Sequence, residues 1–110
     1  MGNRGIAAAA LIVGLTLMSA CSSDSGGFVH DLRAASDNAK DMTDEAAQAW
    51  SDLVCVTFRN GGDKAQAIDN IQTTNHDSIV SGDIPLTDVD NAKVVDLAVN
   101  DDCPEYKDQL

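Results

Sequence analysis

From Phe28 to Leu53 and again from Val89 to Cys103 the apolar residues of this chain recur every three or four positions, and no stretch of useful length alternates apolar with polar. A period of 3.6 lines one face of a helix, whereas a half-buried strand needs a period of two. The pattern therefore predicts helices and nothing else. Phe28, Leu32, Ala35, Ala39 and Met42 share one face, and Ala46, Trp50, Leu53 and Thr57 continue the phase. Asp41 to Asp44 has the polar character of a break, with Thr43 as an N-cap and Asp44 and Glu45 in a first turn where negative charge suits the helix dipole. We read two helices, 28–38 and 43–60, with one long helix as the alternative.

Asn60-Gly61-Gly62 is a C-terminal stop, since glycine takes the positive φ that closes a helix. Asp63 and Gln66 open a short helix through about Thr73, with Ala67, Ile68 and Ile71 inward. Asn75 to Pro85 keeps no helical period, and Ser81-Gly82-Asp83 and Pro85 mark a surface loop. Ile79, Val80 and Ile84 are bulky aliphatics in that segment, so they either tuck beneath it or wait for a partner. Thr87 with Asp90 begins the last helix, 88–102, whose face carries Val89, Ala92, Val95, Val99 and then Cys103. Pro104 ends it, because a residue before proline is turned away from helical geometry. The core positions expected from these stripes include Trp50, Leu53, Val95 and Val99.

The first twenty residues read as an export signal rather than as fold. Arg4 supplies the positive start, and Ile6 to Leu17 form an apolar run of twelve residues interrupted by Gly14 and Thr16. A spanning helix needs about 20 apolar residues, so this run is a signal-peptide core. It ends in Leu17-Met18-Ser19-Ala20-Cys21, which resembles the lipobox of bacterial lipoproteins, with Met18 where an aliphatic residue is usual. The resemblance implies cleavage before Cys21 and a diacylglyceryl group on its thiol. An ordinary secretory signal cut near Ala20 is the alternative. Two or three acyl chains hold firmly where one binds reversibly. Ser22 to Gly27 then forms a Ser/Gly tether whose reach is roughly 13 Å, and residues 28–110 form one small domain.

Taking away residues 1–20 removes Arg4 and no acid, so six Lys and Arg face eighteen Asp and Glu and the net charge goes from −11 to −12. Such a surface repels polyphosphates and anionic headgroups, which excludes nucleic acid as a partner class. About ninety residues bury too little for ample stability, and a covalent staple is common at that size.

Cys55 and Cys103 are suited to be that staple, because an exported chain meets oxidising conditions. A metal or reactive thiol pair is the competing reading, and it lacks C-x-x-C spacing or a nearby histidine. The expected architecture is a small all-α bundle of three to four helices pinned by one disulfide.

Phe28-Val29-x-x-Leu32, Leu53-Val54-Cys55 at the end of an amphipathic helix, the turn at Gly61, and Ala98-Val99 leading into Cys103-Pro104 together resemble the actinobacterial domain-of-unknown-function family 732. Ser51 stands where that family often has glycine, and the segment from Asn75 to Leu86 has no matching motif. The resemblance implies small exported or lipid-anchored helical domains with two cysteines and no agreed activity.

No constellation points to catalysis. His30-Asp31 and His76-Asp77 are isolated pairs, and a metal-dependent hydrolase needs more histidines than the two present. There is no G-x-S-x-G turn, phosphate loop or dinucleotide fingerprint. Asp88, Asp90 and Asn91 fail as a calcium loop at Ala92, Lys93 and Val99, and are read as helix-capping acids. Asp101 and Asp102 oppose the dipole at a helix C-terminus, where Lys107 or a cation would offset them. No cofactor is expected.

The function expected is a non-catalytic envelope interaction module, anchored by lipid on the outer face of the cell membrane and displaying an apolar patch rimmed by acids. The alternatives are a carrier of a small apolar ligand, with a closed pocket lined by Ile68, Ile71, Val95 or Trp50, and a phage-encoded superinfection-exclusion lipoprotein.

Overall fold

The computed structural model describes residues 27–110. The signal-peptide reading of residues 1–20, Cys21 and most of the tether lie outside the described residues.

Described residues are helical from 27 through 35 (α1), and four further helical segments follow: Asp37–Lys40 (α2), Asp44–Arg59 (α3), Lys64–Ser81 (α4) and Asn91–Asp102 (α5). A 3₁₀ helix, Pro104–Gln109, ends the fold. The all-α class expected from the period is what the structure shows. Residues 28–60 are not one helix. The chain breaks at Ser36 and again between Asp41 and Thr43, so the first predicted helix is itself split in two.

α3 is the centre, packing on both α4 and α5, which also pack on each other. One continuous core joins Phe28 and Leu32 of α1, Val54 and Phe58 of α3, Ile71 of α4, Leu86, and Val94, Val95 and Val99 of α5. Cys55 and Cys103 are joined as a disulfide with their Cα atoms 6.0 Å apart, pinning the middle of α3 to the end of α5. Beyond the pin, Tyr106 stacks on Phe58 with ring centroids 5.5 Å apart, an offset geometry that aromatic pairs favour.

The caps are local. The Thr43 hydroxyl accepts the Ala46 N–H at 3.0 Å, and the Asp63 carboxylate accepts the Gln66 N–H at 2.9 Å. At the far end of α3, Gly61 N–H donates to Phe58 and Gly62 N–H donates to Thr57, the two-bond closure that requires Gly61 at φ 91°. Gly62 is needed for a different reason: a Cβ there would lie 2.9 Å from the Thr57 carbonyl oxygen.

Three expectations need correction. α4 does not end near Thr73 but continues to Ser81, so the segment from Asn75 is helix and not loop until Gly82. Its inward phase runs Ala67, Ile71, Asn75, and the third of these is polar. Asn75 is buried and exchanges two hydrogen bonds with the backbone of Leu86, donating at 3.1 Å and accepting at 2.6 Å. An amide thus occupies the place where a period of apolar residues would have been counted. Gly82, at φ 83°, closes the helix, with Asp83 N–H donating to Ser78 at 2.8 Å.

The second correction concerns phase. The buried face of α3 is Ala47, Trp50, Ser51, Val54, Cys55, Thr57 and Phe58, so Ala46 is exposed and Leu53 only half-buried. Ser51 and Thr57 sit inward with hydrogen-bond partners, which displaces the apolar stripe from the true inner face. In α5 the expected Val95 and Val99 are buried, and Val94 and Ala98 join them, so its inner face is displaced toward the preceding residue at each turn, while Ala92, and Val89 before the helix, are half-buried.

The third concerns the acids before α5, which begins at Asn91 rather than 88. Asp90 stands at its start without a side-chain cap bond, and Asp88 caps α2 instead, as set out below.

Candidate functional site

A cleft of about 640 Å³ with an apolar floor lies between the outer edge of α3 and the end of α4. Ala46, Ala49, Trp50 and Leu53 stand at helical spacing along α3 and form its floor, with Met42 at the near end and Ile84 as a wall. Thr74 and Ser78, one turn apart on α4, form the opposite side. These side chains are too short to reach α3, and Gly82 adds none, so the space between the helices stays open. Asp41 and Asp83 are the charged residues lining it, and both are exposed.

The floor continues past the cleft. Ala49 and Leu53 also border a shallower depression with Asp52, Val56 and Arg59. Val56 is 40% exposed, unusual for a branched aliphatic on a helix that is otherwise the centre of the core.

Of the three residues expected as partner contacts, the structure brings Ile84 to the cleft, at 38% exposed. Ile79 and Val80 are more exposed, at 59% and 74%, but lie on the last turn of α4 and not among the cleft's lining. Trp50 is buried in the core as expected, with one edge lining the floor, while Leu53, expected in the core, is only half-buried on it. The signal that would have found Leu53 is the polar inner position Ser51, which shows the stripe is offset. Of the residues named for a closed ligand pocket, Trp50 lines this open cleft, Ile71 and Val95 are fully buried in the core, and Ile68 is half-buried against it.

The loop that carries Ile84 is held by polar side chains. Leu86, fully buried, is clasped by Asn75 as described. Asn38 of α2 donates its side-chain amide to the Pro85 carbonyl at 3.0 Å. Asp88 accepts the N–H groups of Asp37 and Asn38 at 2.8 and 3.1 Å, satisfying orphan donors at the start of α2 from a remote position. Its pKa is lowered chiefly by the Ser36 hydroxyl bond, against some desolvation, with help from the N–H groups of Asn38 and Asp37. On the other flank, Arg33 of α1 donates to the Ala39 and Met42 carbonyls at 3.2 and 2.7 Å and pairs with Asp44 at 2.8 Å. It fixes the turn that brings Met42 to the cleft.

A separate polar cluster lies where α5 ends against α1 and α3. Asp102 accepts from the Gln48 amide at 2.7 Å and from the Ser51 hydroxyl. One carboxylate oxygen of Asp101 is shut off from solvent without a hydrogen-bond partner. Burial pushes its pKa up to about 6, aided by hydrogen bonding to and repulsion from Asp31, and by Asp102. What offsets Asp102 is therefore a pair of donors, and what offsets Asp101 below about pH 6 is a proton.

His30 and His76 are both exposed. Among the described residues no group of three or more His, Cys, Asp or Glu side chains is arranged to hold a metal ion. Nor is any described helix long and apolar enough to cross a membrane.

Neither a family model, nor a curated protein, nor a solved structure matches the chain.

Proposed function

We propose that this chain is a lipid-anchored, non-catalytic module of the bacterial cell envelope, held on the outer face of the membrane through Cys21 and binding a protein partner in the α3–α4 cleft. The observation that supports it is the cleft itself: an apolar floor of Trp50, Leu53 and Ala49, walled by Ile84 and flanked by Asp41 and Asp83. Half-exposed apolar side chains gathered at one place on a small domain mark contact surfaces, whereas scattered ones carry no such meaning. The cleft's volume falls within the range of small-molecule sites, but an open trough buries far less of a ligand than a carrier needs. The resemblance of Leu53-Val54-Cys55 and Cys103-Pro104 to family 732 belongs to the same reading, as do the export signal and the acyl anchor.

The test has two arms in intact cells. Labelled palmitate should enter the protein, and Cys21→Ala should abolish that labelling and release the domain. A photo-crosslinking residue at Val56 should capture a protein, and Ile84→Asp should remove the adduct without lowering the melting temperature. Acylation of the Cys21→Ala chain would overturn the anchor. An adduct indifferent to Ile84→Asp would overturn the cleft as the contact surface.

A further inference from the structure

Resting on that reading, we propose that the partner presents an amphipathic helix with basic flanks, lying along α3 in the trough from Met42 to Val56. The trough's shape is the first reason. Ala46, Ala49, Leu53 and Val56 follow one another along a single face of α3, and at 1.5 Å per residue Ala46 to Val56 spans about 15 Å. A helix sets its apolar anchors at i, i+4 and i+7 over about 10 Å, so two or three of them fit this length. A compact ligand would fill the Trp50 end and leave Val56 bare. A peptide that docks as an added strand would need a sheet edge, and the described residues contain no strand.

Charge is the second reason. Asp41 and Asp83 flank the mouth, and no Lys or Arg is among the described residues lining the main cleft. The cations nearest the mouth in the chain are engaged elsewhere: Arg33 with Asp44 and Lys40 with Asp37. The mouth therefore favours a cationic occupant. A second copy of this chain, with its excess of acids, would bring carboxylate against carboxylate. Arg59 borders the far end of the trough. Asp52 stands beside it, so uncompensated negative charge is confined to the Met42 end, and that end takes the positive N-terminus and basic flank of a docked helix, which sets the partner helix parallel to α3.

The measurement uses the exported chain with Cys21→Ser, so that no acyl chain competes. The probe is a synthetic helical peptide of about 18 residues, five turns long, with leucines at i, i+4, i+7 and i+11 and lysines beside them in its N-terminal half. Trp50 is the single tryptophan of the chain and lines the cleft, so its emission reports occupancy. The lysine peptide should shift that emission saturably, and its glutamate counterpart should bind at least about tenfold more weakly, a difference of about 1.4 kcal/mol. Asp41→Lys with Asp83→Lys, both exposed positions, should reverse the preference so that the glutamate peptide binds better.

Equal binding of the two peptides, or no reversal in the double variant, overturns the proposal. So does a chain that sediments as a dimer, which assigns the trough to a second copy. So does a Trp50 shift with monomeric dodecyltrimethylammonium and none with either peptide, which assigns it to a small amphiphile. In each of those cases loss of the cellular adduct on Ile84→Asp keeps the contact surface and rejects only the basic helix. Persistence of the adduct rejects the surface itself.

Discussion

The Ser36 hydroxyl donates a 2.6 Å hydrogen bond to the carboxylate of Asp88, 52 residues later in the chain. Ser36 also accepts the Ala39 N–H at 3.1 Å as the N-cap of α2, so a four-residue helix is capped twice, once locally and once from the loop before α5. Helices this short do not persist alone. Ser36→Ala should cost about 1 kcal/mol as a lost cap, read as a lowered denaturation midpoint. Asp88→Ala should also destabilise. In a double-mutant cycle the two losses should fall short of adding, since each removes the same bond. Strict additivity would show that the Ser36–Asp88 bond contributes nothing.

The two perturbed carboxyls predict a stability maximum in mild acid. Asp101 holds its proton more tightly folded than unfolded, so its contribution is complete below about pH 4 and is lost as pH rises through about 6. Asp88 works oppositely: its stabilisation is present above the ordinary carboxylate value and is lost as pH falls through its lowered pKa. The melting temperature should be higher at pH 5 than at pH 7.5 and should fall again below pH 4. Asp101→Asn should flatten the alkaline limb. A melting temperature that climbs steadily from pH 5 to pH 8 would contradict the assignment to Asp101.

Asn75 is expected to be worth more than its polarity suggests. Replacing it by Ala strands the N–H and C=O of Leu86, both buried, at roughly 1 to 3 kcal/mol for each unsatisfied group. Thermal melts should show Asn75→Ala more damaging than Leu53→Ala, although Leu53 is the larger apolar side chain, because Leu53 is only half-buried on the cleft floor. The reverse order would return Leu53 to the core.

Mass spectrometry of the chain, alkylated without reduction, should find neither Cys55 nor Cys103 modified. Opening their bond should lower stability by about 4 kcal/mol, the loop-entropy value for about 49 residues. Full alkylation of both cysteines would remove the pin.

Much of the fold is legible in the sequence because it is written in local chemistry: Thr43 and Asp63 as caps, Gly61 as a stop, Pro104 after the last helix. What escapes a reading by apolar period is long-range and polar. Asn75 continues α4 inward as an amide, Ser51 and Thr57 turn the inner face of α3, and Asp88 caps a helix that lies far back in the chain. Each is satisfied by a partner that only the tertiary structure supplies. The cleft was missed for the same cause. Once Leu53 is counted as core, the outer edge of α3 is no longer available to be a surface, and Ile84 loses the neighbours that make it a wall.

The pin has a further consequence when the chain meets a protease. Cys55 and Cys103 bracket α4 and the exposed turn from Gly82 to Ile84, so a cut at that turn opens the backbone without parting the pieces. The nicked chain remains a single covalent particle, running as one species on a non-reducing gel and as two after reduction. Both walls of the cleft stay tethered to the same α3 floor.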